Sequence, residues 1–235
     1  MTRARLRCYA SPTQHCPYLP DRLSSNLFAD PAVLDNDLYS QLIRLGFRRS
    51  GAYVYRPHCP GCSACVPVRV EVADFRPRRR HRRCLQSNRD VSLTINRNGL
   101  PDEYLPLCQS YLHKRHPGGG MDTMDRAQLE AFLSCAWSQT EFLEFRKDDR
   151  LLGIAATDRV ADGLSAVYTF FDADNHRRGL GTYAILNQIE YARELQLSWL
   201  YLGYWIEACV KMNYKTGFQP LQAFDGSAWT ETSAR

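Results

Sequence analysis

No run in this 235-residue sequence approaches the roughly 18 consecutive apolar residues that a membrane-crossing helix requires. No charged-then-apolar segment opens it either. These absences predict a soluble, cytoplasmic chain without a membrane partner. Internal repeats and low-complexity tracts are also missing, which leaves no repeat architecture to consider. Nine cysteines, an odd number, argue against a secreted disulfide framework and leave reduced thiols or metal ligands. Acidic residues are scarce at the front: residues 1–97 hold 17 Lys/Arg against 7 Asp/Glu, whereas residues 98–235 hold 13 against 18. A basic portion joined to a mildly acidic one suggests an anionic, extended partner such as RNA. The length allows one large domain or two modest ones with a real core. Gly99, Pro101 and Pro106 mark the expected boundary, giving regions 1–97 and 98–235.

In the basic region, Cys16-Pro17-Tyr18-Leu19-Pro20 holds a potential ligand in rigid backbone. Asp30-Pro31 starts a helical pattern that ends at Gly46. Phe47–Arg56 reads as a hairpin around Ser50-Gly51, with Arg48 and Arg49 at its mouth. Cys59, Cys62 and Cys65 follow at Cys-x-x-Cys-x-x-Cys spacing, and Pro60 and Gly61 supply a knuckle that aims several sulfurs at one ion. With Cys16 they make four candidate ligands for zinc or an iron–sulfur group. The two separated pairs of a zinc finger are absent, so buried small residues or free thiols remain the alternative. Val66–Val72 alternates as a strand. Phe75–Arg83 then carries six arginines in nine residues with no acidic residue among them. Arg78, Arg79, Arg80, Arg82 and Arg83 are expected to form a phosphate-binding track, because guanidinium forks match phosphate oxygens. A solvated loop or arm is the bland alternative.

The second region is organised around Leu164–Gly181. An apolar, β-branched and aromatic run predicts a buried strand to Phe171, and Asp-Ala-Asp-Asn-His breaks it. Beyond Gly179 and Gly181, Leu180, Tyr183, Ala184, Ile185, Ile189, Ala192 and Leu195 recur at helical spacing. Such a strand–loop–helix junction presents backbone N–H groups suited to a phosphate or oxyanion, with Arg177 and Arg178 adding charge. Leu151–Asp158 completes a hairpin through Ala161-Asp162-Gly163. Ser198–Gly203 predicts a strand, Ile206–Tyr214 a short helix and Gly217–Phe224 a last strand. Tyr104–His113 and Asp125–Trp137 read as helices, Thr140–Arg146 as a strand, and Gly118-Gly119-Gly120 as a mobile connector.

This order resembles the GCN5-related acyltransferase fold, in which a central strand splays from its neighbour and the acyl donor lies beside a Gly loop. The fold expected is therefore α+β: a GNAT-like acyltransferase domain preceded by a smaller, cysteine-containing basic α/β domain. His176-Arg177-Arg178-Gly179-Leu180-Gly181 is similar to that loop, with His176 where Gln or Arg is usual, which counts against coenzyme A. Phe47–Arg56, Cys59–Arg69 and Tyr201–Ile206 leading to Lys211–Lys215 together resemble the aminoacyl-tRNA–protein transferases of the N-end rule, over nearly the whole chain. The Cys-Pro-Tyr-Leu-Pro start is similar to their bacterial branch, the aspartate/glutamate leucyltransferases. Leu19 occupies the neighbourhood of a second cysteine in the eukaryotic branch.

The resemblance implies transfer of leucine from Leu-tRNA to the α-amine of proteins beginning with Asp or Glu. The amine attacks an already activated ester, so no cofactor is required for the chemistry. Glu207, Lys211, Tyr214 and Lys215 are expected on one helix face, with Glu207 accepting the amine's proton and the others stabilising the oxyanion or holding the terminal adenosine. Arg48 and Arg49 are the candidates for the acidic side chain of the substrate, with Arg177 the runner-up. A coenzyme-A-dependent N-acetyltransferase and a non-catalytic zinc-ribbon RNA-binding protein are the competing readings.

Overall fold

The computed structural model describes residues 6–115 and 123–232; the expected connector at Gly118–Gly120 lies outside them. Five α-helices and fourteen strands occur among the described residues. The first strands are β1 (Cys8–Ala10), β2 (Gln14–His15), β3 (Leu23–Ser24) and β4 (Asn26–Ala29). Helix α1 (Asn36–Arg44) then leads to the hairpin of β5 (Arg48–Ser50) and β6 (Tyr53–Pro57). The helical pattern expected from Asp30 is interrupted. Pro31–Val33 is a 3-10 turn, Leu34 is extended, and Asp35 starts α1 by accepting the Leu38 N–H at 2.7 Å. Strands β1, β4, β6 and β5 form a small sheet, and β2 pairs with β3.

The chain continues through β7 (Val66–Glu71), α2 (Arg79–Ser87), β8 (Ser92–Asn96), α3 (Tyr104–Arg115) and α4 (Arg126–Leu133). Asp125 and Gln128 cap α4 reciprocally, and Ser134 ends it three residues short of the expected Trp137. Then follow β9 (Thr140–Lys147), β10 (Arg150–Val160), β11 (Gly163–Phe171), α5 (Leu180–Glu194), β12 (Trp199–Trp205), β13 (Leu221–Phe224) and β14 (Trp229–Glu231). The arginine-rich stretch is thus largely helical.

The large sheet runs β14-β13-β7-β12-β11-β10-β9-β8. Strands β7 and β8 precede residue 97, so the sheet draws on both sides of the expected boundary. Side chains alternate across it. Leu143, Phe145 and Ala155 join Val68, Val70 and Val72 in the core under α5, while Phe142, Ile154 and Ala156 face α3 and α4. A third core gathers Tyr39, Leu42, Ile43 and Val54 against Val160 and Tyr201, fastening the small sheet to the large one.

One pairing positions the site. Strands β11 and β12 are parallel, and they pair only from Gly163↔Trp199 to Ser165↔Tyr201. Gly163 is required there, since a Cβ would lie 2.5 Å from the Trp199 carbonyl oxygen. Beyond Ser165 the two strands part, as the acyltransferase resemblance implied.

Candidate active site

The splay between β11 and β12 is filled from α1 and from the small sheet. Tyr39 donates its hydroxyl to Ser165 Oγ at 3.1 Å, at the last paired rung. Arg48, 9% exposed, bridges the two strands beyond it. Its Nη2 donates to the Ala166 carbonyl at 2.5 Å, and its Nη1 to the Tyr201 carbonyl at 3.2 Å. Gly203, at φ +85°, makes room: a Cβ there would stand 3.0 Å from the guanidinium carbon. No ion pair to Arg48 occurs among the described residues. A buried guanidinium held by two carbonyls and no carboxylate is a seat for an anion.

Lys215 is also buried, 4% exposed. Its Nζ donates to the Tyr204 carbonyl at 2.5 Å and to Met212 Sδ at 3.2 Å. Burial, and then the Arg48 charge, lower its pKa to about 7. Tyr204 donates to the Gly46 carbonyl at 2.9 Å. Burial raises the pKa of both the Tyr55 and Tyr204 hydroxyls, while Arg48 pulls the other way on each. Tyr55, Tyr204 and Gly203 were missed as site residues from sequence; Tyr204, standing directly after an apolar strand core, was the available signal.

Arg49 belongs elsewhere. Its guanidinium takes Asp158 bidentately, Nε to Oδ2 at 2.6 Å and Nη2 to Oδ1 at 2.7 Å, with both side chains at 0% exposure. It also donates to the Gly51 and Leu133 carbonyls. Sealed from solvent with its guanidinium fully engaged, Arg49 fits a structural role and not the expected one in acid recognition.

The expected helix face of Glu207, Lys211, Tyr214 and Lys215 does not form. Ile206 and the Glu207-Ala208 turn follow β12, and Val210–Gly217 is a 3-10 helix. At three residues per turn, Lys215 rotates inward while Lys211 and Tyr214 stay exposed. Glu207 is exposed in its turn, lining a cavity of about 370 Å³ with Ala64, Val66, Trp205 and Ala208. The assignment of Glu207 as base rested on helical spacing that is absent.

At the Gly loop, Ala173–Arg178 is a 3-10 turn, and Gly179 adopts φ +62° to enter α5. Gly181 packs on Phe171, whose ring would lie 3.2 Å from a Cβ. Arg178 pairs with Asp90 at 2.7 and 2.9 Å, and Arg177 is exposed. Asn88 donates to the Arg178 carbonyl at 2.8 Å, and the Cys84 thiol approaches the Gly179 carbonyl at 3.5 Å. The loop is therefore sewn to α2.

Arg78, Arg79, Arg80, Arg82 and Arg83 are all exposed on or beside α2. With Arg76, three of them (Arg78, Arg80 and Arg82) line an open groove shared with Thr216, Gly217 and Gln219. Arg80 lies on the Gly217 backbone, where a Cβ would collide with its Nη2. His81 turns inward, 1% exposed and stacked on Phe218 at 5.1 Å. Burial, then Arg80 and Arg78, push its pKa down to about 4.

Cys16, Cys59, Cys62 and Cys65 converge. Burial first, then the neighbouring Cys59, Cys16 and Cys62 thiols, push the Cys65 thiol up to about 11. All four are free. Among the described residues no group of three or more His, Cys, Asp or Glu side chains has metal-holding geometry. The four thiols thus cluster without the geometry of an ion's ligands.

A splayed parallel strand pair beside a Gly loop that opens a helix is the architecture expected of an acyltransferase fold. The family model for "Arginine-tRNA-protein transferase, N terminus" matches residues 14–83, and that for its C terminus matches residues 103–225. The aspartate/glutamate leucyltransferase of Alcanivorax borkumensis is 48% identical over 97% of this chain and 95% of its own. That of Hahella chejuensis is 47% identical over 94% and 95%. Among solved structures, L-PGS from Bacillus licheniformis matches 61% of this chain and 47% of its own at TM-score 0.46 and 9% identity. The DUF2156 domain of an Agrobacterium fabrum protein matches the same shares at 0.45 and 14%. The chain belongs to the arginine-tRNA-protein transferase family and is an aminoacyltransferase. No helix among the described residues is long and apolar enough to cross a membrane.

Proposed function

We propose that this enzyme transfers leucine from Leu-tRNA to the N-terminal α-amine of cytoplasmic proteins beginning with Asp or Glu, marking them for N-end-rule degradation. The observation that carries the acceptor side is Arg48, a guanidinium buried between β11 and β12 without a carboxylate partner among the described residues. A substrate Asp or Glu side chain entering the splay supplies that missing charge. The donor side rests on the relatives and on the α2 arginines, whose exposed guanidinium groups suit tRNA phosphates. With both reactants held, the amine attacks the ester carbonyl, the tetrahedral oxyanion collapses, and the ribose hydroxyl leaves with a proton.

Incubation with Leu-tRNA and an Asp-starting peptide tests the reading by mass. A gain of one leucyl residue, absent with acetyl-coenzyme A, is expected. Acetylation instead would favour the N-acetyltransferase, and RNA retention without transfer the non-catalytic binding protein.

A further inference from the structure

Two cations, not one, are buried at the splay, and their placement is linked through consecutive residues of β12. The Arg48 guanidinium lies over Gly203, and Lys215 Nζ is anchored on the carbonyl of Tyr204, the next residue. The two residues that seat them are neighbours in the chain, their Cα atoms about 3.8 Å apart, and the Arg48 charge acts directly on the Lys215 ammonium. Neither has a carboxylate partner among the described residues. Burial depresses the Lys215 pKa, repulsion between like charges confined in a low-dielectric site lowers it further, and an anion bound between the two stabilises the charged form of both.

We propose that Lys215 is the second arm of the acid-binding seat, so that one substrate carboxylate bridges Arg48 and Lys215. The proposal rests on the reading that the acidic first residue enters this splay, and it makes Lys215 a specificity-determining residue instead of a proton carrier or oxyanion stabiliser. Donation to a backbone carbonyl and to a thioether orients the ammonium and leaves its third N–H for the ligand. The 3-10 geometry of Val210–Gly217 brings it there, because an α-helix would point residue 215 along the same face as Lys211. The groups facing Lys215 are Arg48, Cys65 and Cys209, with the Tyr214 ring 5.2 Å from its Nζ. None of these is a carboxylate. A carboxylate shared by a guanidinium and an ammonium is discriminated from its amide isostere, since an amide N–H₂ cannot accept from either and carries no charge.

The experiment compares peptides beginning with Asp and with Asn, using Leu-tRNA as donor, in wild type, Lys215→Met, Lys215→Arg and Arg48→Met. Replacement of a buried cation by Met preserves volume, and urea midpoints confirm that each variant is folded. For Lys215→Met, KM for the Asp peptide is expected to rise roughly ten- to hundredfold, the worth of one charge-assisted hydrogen bond. Its kcat and the Asn-peptide KM stay within a few-fold, and Lys215→Arg restores much of the preference. An equal fall of kcat on both peptides at unchanged KM would overturn the proposal and place Lys215 in the chemistry. An Asp preference that is lost in Arg48→Met but intact in Lys215→Met overturns only the second arm. A preference surviving in Arg48→Met, or absent from wild type, overturns the acid-binding splay itself.

Discussion

Arg49→Ala is expected to unfold this protein more readily without first altering what it recognises. In the folded chain the Arg49–Asp158 pair is sealed from solvent, with both side chains at 0% exposure and two charge-assisted bonds of 2.6 and 2.7 Å. Burial lowers the Arg49 pKa, but Asp158 outweighs it and the pKa ends above its ordinary value. Removal of the guanidinium leaves Asp158 with a hydroxyl donor, Thr140 Oγ1 at 2.7 Å, and no counter-charge. It also strips a donor from the Gly51 and Leu133 carbonyls. Breaking a buried pair from one side costs about 3–5 kcal/mol, against a total stability on the order of 5–15 kcal/mol. For a chain of this size that corresponds to a fall in Tm of roughly 6–20 °C. Urea titration followed by tryptophan fluorescence gives the change, and Arg49→Met combined with Asp158→Leu, which removes both charges, is expected to regain part of the loss. Arg49→Ala with a wild-type midpoint and a lost preference for acidic peptides would refute this reasoning and return Arg49 to the substrate site.

The buried imidazole gives a second expectation. His81 is held neutral with its pKa near 4 in the fold against about 6.5 when unfolded. Between those values the unfolded chain binds more protons, so this contribution is complete above pH 6.5 and is lost as pH falls towards 4. The His81→Phe variant should lose less stability than wild type over that window, by up to about 3 kcal/mol at its acid end, and parallel pH profiles would contradict the assignment. On α2, replacing Arg78, Arg79, Arg82 and Arg83 by Gln should weaken tRNA binding and reduce the slope of log affinity against log salt by about 3, if each meets a phosphate. An unchanged slope would place the tRNA elsewhere.

The sequence alone determined the elements whose signals are local. The β10–β11 hairpin, the Gly179 entry into α5 and the Asp125–Gln128 cap of α4 follow from turn formers, a left-handed glycine and side-chain capping. The hairpin bearing Arg48 and Arg49 was legible for the same reason. What each arginine does was not. Successive side chains on a strand point to opposite faces, so β5 sends Arg48 into the strand splay and Arg49 onto Asp158. Which face meets which surroundings depends on partners more than 100 residues away in the chain. Lys215 stands out in the sequence as a candidate, but its burial and its company are set by tertiary structure. A 3-10 helix in place of an α-helix parted it from Glu207 and turned it inward, a choice made by packing against β12 and α2. Likewise β7 alternates plainly in sequence, yet only long-range pairing sets it between β12 and β13 and joins the basic region to the acyltransferase sheet.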